Sequence, residues 1–105
     1  MKNRLQIQLP EEEIVSFCQR WKIEELSAFG SVVREDFGPQ SDVDLLVSFA
    51  PDARWTLFDM ARMRAELRAL LGREVDLVSR RGIESSRNPI RREAILSSAE
   101  VIYAA

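Results

Sequence analysis

A chain of 105 residues, 46% of them hydrophobic and 30% charged, carries enough apolar material for one core and a well-solvated surface. Its net charge of −2 gives no argument for direct nucleic-acid binding, and the complete absence of histidine removes histidine triads and zinc–histidine sites. The lone cysteine, Cys18, cannot close an internal disulfide, and no apolar run approaches the length of a membrane span. The expectation is therefore one domain over residues 1–105 in a reducing cytoplasm, with no membrane partner.

In chain order, Leu5, Ile7 and Leu9 alternate with polar residues, the pattern of a short extended arm. Pro10 suits the first turn of a helix, and Glu11, Glu12 and Glu13 favour its positive end. Ile14, Phe17, Cys18 and Trp21 recur at helical spacing and define its apolar face. Residues 1–22 thus read as an N-terminal arm and helix, and residues 26–103 as the core that carries chemistry. A first strand is expected over residues 26–29, a short helix opening at Ser31, and a loop through Phe37, Gly38, Pro39 and Gln40. A second strand is expected over 42–49.

Thr56 with Asp59 three residues on reads as a capping-box variant, and the helix it opens should stop at Gly72. Leu57, Met60, Ala61, Leu67, Leu70 and Leu71 are expected on its apolar side. A third strand over 75–78 puts Asp76 and Val78 on one face and Val75 and Leu77 on the other. Asn88 and Pro89 mark a helix start, and residues 101–103 an edge strand. Arg80, Arg81, Arg87, Arg91 and Arg92 form a basic stretch, either a solvated helix face or a contact for phosphates or an acidic partner.

The chemistry concentrates between residues 26 and 49. Asp42 and Asp44 are two apart in a strand, so their carboxylates project to one side while Val43, Leu45 and Val47 point into a core. Two carboxylates on one face repel unless a cation lies between them, and a hard divalent ion with oxygen ligands is the natural one. Gly30 lets a phosphate approach the backbone, and a helix opening at Ser31 would turn its N–H groups toward it. An acid within an apolar strand needs a reason, because burying an unpaired carboxylate is costly. A salt bridge is one reason for Asp76; a third carboxylate of the site, beside Asp42 and Asp44, is the favoured one.

Gly30-Ser31, Arg34 and the run Ser41-Asp42-Val43-Asp44-Leu45-Leu46-Val47 resemble the signature of the polymerase-β-like nucleotidyltransferases, closest to their minimal (MNT) branch. The resemblance continues through Leu71-Gly72-Arg73-Glu74-Val75-Asp76-Leu77-Val78 and resumes from Ile90 to Tyr103. One position departs: the family usually has glycine after the motif arginine, and this chain has Glu35. The resemblance implies an α/β (α+β) fold with a small, mixed, mostly antiparallel sheet and helices packed on it. It implies that Asp42, Asp44 and Asp76 bind two magnesium ions, with manganese as a substitute, and that Gly30, Ser31 and Arg34 bind the triphosphate of ATP or another nucleoside triphosphate. Asp76 is then the natural base, since no histidine is present. The resemblance further implies transfer of AMP to a tyrosine of a HEPN-domain toxin, making the chain an antitoxin. The competing reading is a catalytically weak module that neutralises its partner by occlusion; a third is self-assembly through the 5–9 arm or the final strand.

Overall fold

The computed structural model describes residues 9–30, 38 and 41–105. In chain order the elements are α1 (Glu11–Arg20), β1 (Ile23–Phe29), β2 (Val43–Phe49), α2 (Leu57–Leu71), β3 (Val75–Ser79), α3 (Arg80–Glu84), α4 (Pro89–Ser98) and β4 (Glu100–Ala104). The expected 5–9 arm, apart from Leu9, and the helix opening at Ser31 lie outside the described residues.

The strands form one sheet in the order β3-β2-β1-β4. β1 pairs antiparallel with both β2 and β4, while β2 and β3 run parallel. The mixed, mostly antiparallel sheet is thus observed. A parallel pair needs a crossover, and α2 supplies it. β1 begins three residues earlier than the apolar run suggested. Its register shifts between Ile23 and Glu25, an irregularity that admits polar Glu24 and Glu25 into a strand.

Side-chain alternation divides the core in two. Val43, Leu45 and Val47 face α1 and α2, meeting Phe17, Cys18, Met63 and Leu67 in the main cluster. Leu46 faces the other way and meets Phe29, Ile83 of α3 and Ile95 of α4. Burial in the main cluster pushes the Cys18 thiol up to about 12.

α2 starts at the expected capping box. Thr56 Oγ1 accepts from the Asp59 N–H at 3.2 Å, and Asp59 Oδ2 accepts from the Thr56 N–H at 2.8 Å. The helix ends at Gly72, whose φ of 68° is the left-handed conformation of a C-terminal glycine. The first turn departs from expectation, because Leu57 is 87% exposed. The stripe that reaches the core is Met60, Met63 and Leu67, so Leu57 precedes it. α1 and α2 are joined by Glu66, which accepts from Arg20 Nη1 at 2.7 Å and Trp21 Nε1 at 2.9 Å.

The basic stretch is not one helix face. α3 interrupts it, capped by Ser79, whose hydroxyl accepts from the Gly82 N–H. Arg80 pairs with Glu25 and Glu84, each at 3.3 Å, and Arg92 donates to the Ser86 carbonyl at 2.9 Å. Asn88 caps α4 as expected, accepting from the Arg91 N–H.

Candidate active site

The site forms where β1 ends and β2 and β3 begin. Phe29, the last residue of β1, is the register partner of Asp44, and Gly30 follows it directly. Gly30 has φ 71°, a conformation that L side chains adopt only at a cost. A Cβ built on it would collide with the Asp44 carboxylate. The backbone conformation selects glycine here, and any Cβ would in addition push the Asp44 carboxylate aside.

Across the parallel pair, Asp44 is in register with Asp76, as Val43 is with Val75 and Leu45 with Leu77. Register partners project to the same face, and neighbouring strands lie about 4.8 Å apart. Asp44 and Asp76 are therefore adjacent on the face shared with Leu46 and Val78, away from α1 and α2. Asp42 immediately precedes β2, two residues back from Asp44. Asp44 is half-buried, while Asp42 and Asp76 are exposed. The exposure of Asp76 corrects the sequence argument from the cost of burying a carboxylate: the strand turns this side chain to solvent and no such penalty arises. Ser31 and Arg34 lie outside the described residues, as does Glu35.

Among the described residues no three acids are gathered closely enough to hold an ion between them. The structure brings Asp44 and Asp76 to adjacent positions and leaves Asp42 at the rim. The donor chemistry nevertheless fits a magnesium-sized cation: hard carboxylate oxygens, one half-buried and two solvent-accessible, projecting from the starts of adjacent strands.

A second group of residues, not singled out in the sequence, holds the acids in place. Arg73 Nη1 donates to the carbonyls of Gly38 at 2.9 Å and Ser41 at 3.2 Å, tying the segment before Asp42 to the start of β3. Ser41 turns back on Gly38 through two hydrogen bonds of 3.0 Å, and the Val43 N–H donates to the Glu74 carbonyl at 2.9 Å. Behind them, Arg64 Nε donates to the Val75 carbonyl at 2.7 Å, and Arg68 pairs with Glu74 at 2.9 Å. The signal available in sequence was only the position of Arg73, between the helix-ending glycine and the strand carrying Asp76; its carbonyl partners are contacts of the fold. An open groove of about 730 Å³ runs along this clamp, lined by Ser41, Asp42, Arg68 and Arg73 among others.

A glycine held against one strand acid, with a second acid in register on the next strand, is an arrangement suited to phosphate and metal chemistry. The nucleotidyltransferase domain pattern matches residues 12–102, and the chain belongs to that family; it is a nucleotidyltransferase. Within the family it is of the minimal kind. A candidate protein adenylyltransferase of Methanocaldococcus jannaschii is 30% identical over 85% of this chain and 89% of its own length. The protein adenylyltransferase MntA of Thermococcus cleftensis is 37% identical over 64% of this chain and 66% of its own length. A solved structure of a candidate minimal nucleotidyltransferase is 40% identical and superposes with a TM-score of 0.66 over 86% of both chains. The fold is also shared, at 18% identity and a TM-score of 0.61 over 90% of this chain and 70% of the other, with a structure of the tri-AMPylated HEPN toxin of Shewanella oneidensis in complex with MNT antitoxin.

Proposed function

We propose that this chain transfers AMP from ATP to a hydroxyl of a partner protein, a tyrosine of a HEPN-type toxin, and so acts as its antitoxin. The observation that carries the reading is the parallel register of Asp44 with Asp76, beside a glycine that abuts Asp44. Support for a protein acceptor comes from relatives named as protein adenylyltransferases, and for the toxin from the complex that shares the fold. In this reading residues 1–105 act as one domain, with 26–103 carrying the chemistry, in a cytoplasm that keeps Cys18 reduced.

Asp42 and Asp44 would hold a magnesium ion on the triphosphate, and Asp44 with Asp76 a second; manganese would serve in either place. Bound there, the ions supply Lewis-acid stabilisation of the attacking and leaving oxygens. Asp76, exposed at the open side of the site, accepts the proton of the acceptor hydroxyl. The hydroxyl oxygen bonds to the α-phosphorus, the bond from that phosphorus to the bridging oxygen breaks, and pyrophosphate departs. Gly30 and Ser31 would bind the departing pyrophosphate, and Arg34 would offset its charge. Orientation of the acceptor falls to the partner, because the side chain of Asp76 faces solvent.

The test is incubation of the chain with ATP labelled at the α-phosphate, magnesium and a HEPN-type toxin. Label should appear on toxin tyrosine, require the metal, and vanish with Asp44→Asn. Neutralisation of the toxin without any label transfer would favour occlusion and end the catalytic reading.

A further inference from the structure

Leu57 is 87% and Phe58 84% exposed, two consecutive large apolar side chains in water on the first turn of α2. Single exposed apolar residues are ordinary on protein surfaces; adjacent ones at the mouth of a groove mark an interaction site. Such a groove is lined by Leu57, with Phe58 next to it in the chain; it measures about 450 Å³, and Val47, Phe49, Trp55 and Met60 are among its lining. The capping box fixes the helix start, and Trp55 is held from behind by its Nε1 bond to the Trp21 carbonyl and by an edge-to-face contact with the Trp21 ring at 5.0 Å. The apolar pair is therefore presented by a rigid frame and loses little freedom on binding.

The charge at the rim identifies the kind of occupant. Arg54, Arg80 and Arg81 border the groove against one acid, Glu84. Arg80 is already matched by Glu25 and Glu84. Arg54 gives its Nη1 donors to the Pro51 and Ala53 carbonyls, and nearby Asp52 is taken by Lys22 at 3.2 Å. Among the described residues, neither Arg54 nor Arg81 has a carboxylate within ion-pair distance. An apolar floor whose rim carries three arginines against Glu84, Arg81 among them without a carboxylate within ion-pair distance, complements a segment with an apolar anchor and neighbouring carboxylates. The apolar lining and Glu84 weigh against a nucleic-acid backbone.

We infer that this groove docks an acidic, apolar-anchored segment of the protein acceptor, an inference that rests on the proposed transfer to a protein. The groove lies at the far ends of β2 and β3. Asp44 and Phe49 are five residues apart on one strand, roughly 16 Å at ~3.3 Å per residue. A partner held there leaves the mouth of the site clear and raises the effective concentration of its hydroxyl at Asp76.

The experiment titrates the HEPN-type toxin, by calorimetry, into the wild-type chain, the double variant Leu57→Ser/Phe58→Ser, Arg81→Glu and Asp44→Asn. Melting curves confirm folding, and ATP affinity is measured in parallel. The expected result is at least a 100-fold loss of toxin affinity in the serine double variant and about a 10-fold, salt-sensitive loss in Arg81→Glu, with ATP affinity unchanged in both. Asp44→Asn should bind toxin normally while failing to transfer label. Unchanged toxin affinity in the double variant overturns the inference. So does a wild-type dimer that the double variant converts to monomer without altered toxin binding, since the groove would then hold a second copy. A wild-type chain that binds no toxin ends the proposed function and this inference together; wild-type binding with unaltered variants ends only the latter.

Discussion

Gly30 and Gly72 form a matched pair that isolates one contact of the site. Their φ values are 71° and 68°, so alanine at either position pays nearly the same backbone cost, about 1–2 kcal/mol. Their surroundings differ. Nothing lies within 4 Å of a Cβ at Gly72, whereas a Cβ at Gly30 collides with the Asp44 carboxylate. Turning the Asp44 carboxylate, the far end of a half-buried side chain, out of the way costs about 0.5–1.5 kcal/mol more. Gly30→Ala should therefore lose roughly 1.5–3.5 kcal/mol where Gly72→Ala loses about 1–2. For a domain of this size each kcal/mol moves the melting temperature by about 4–8 °C, so calorimetric melts resolve the difference. In an Asp44→Ala background the excess should disappear, leaving the two glycine substitutions equal. Equal losses in the wild-type background, or an excess that survives removal of Asp44, would refute the account of Gly30 as a position shaped by Asp44.

Further expectations concern the acids, their support and the core. Asp42→Asn or Asp44→Asn should abolish label transfer while leaving the fold intact, as judged by circular dichroism. Asp76→Asn should lower turnover with nucleotide affinity retained, and a collapse of affinity would reassign Asp76 to holding the triphosphate's metal. Arg73→Gln should release the segment before Asp42 and raise the half-saturating manganese concentration about 10-fold, while turnover at saturating metal recovers; Arg73→Lys should restore part of the affinity, and calorimetric titration of manganese reads this without turnover. Cys18 should resist thiol reagents at pH 8 until the chain unfolds. Its thiol is pushed up to about 12 in the fold, above the ordinary ~8.5–9. The associated stability is therefore complete below about pH 9 and is lost as pH rises toward 12. Labelling rates followed against pH check both statements.

The chain's own pattern announced several things without help. Period-two alternation from Val43 to Val47 set which side chains enter the core and put Asp42 and Asp44 on the opposite side, because a strand has only two faces. Thr56, Asp59, Gly72, Asn88 and Pro89 marked helix ends, since capping and left-handed turns depend on residues close in sequence. Tertiary structure decided what spans distance. Pairing of β2 with β3 in parallel brings Asp76 beside Asp44; alternation excludes a slip by one residue, but nothing local distinguishes that register from a slip by two. Strand direction also determined that Asp76 is solvent-facing, against the burial inferred from its apolar neighbours. Helical spacing puts Leu57 inward, yet periodicity cannot say where the buried stripe of a helix begins, and Leu57 is exposed. The contiguous basic run dissolved into an ion-paired Arg80, a carbonyl-bound Arg92 and exposed arginines between them. Arg73 gained its place because its partners, Gly38 and Ser41, lie more than thirty residues earlier in the chain. Residue type and short spacing thus specified the donors and their faces, and only the folded sheet could specify which donors meet, because that depends on contacts between residues far apart in sequence.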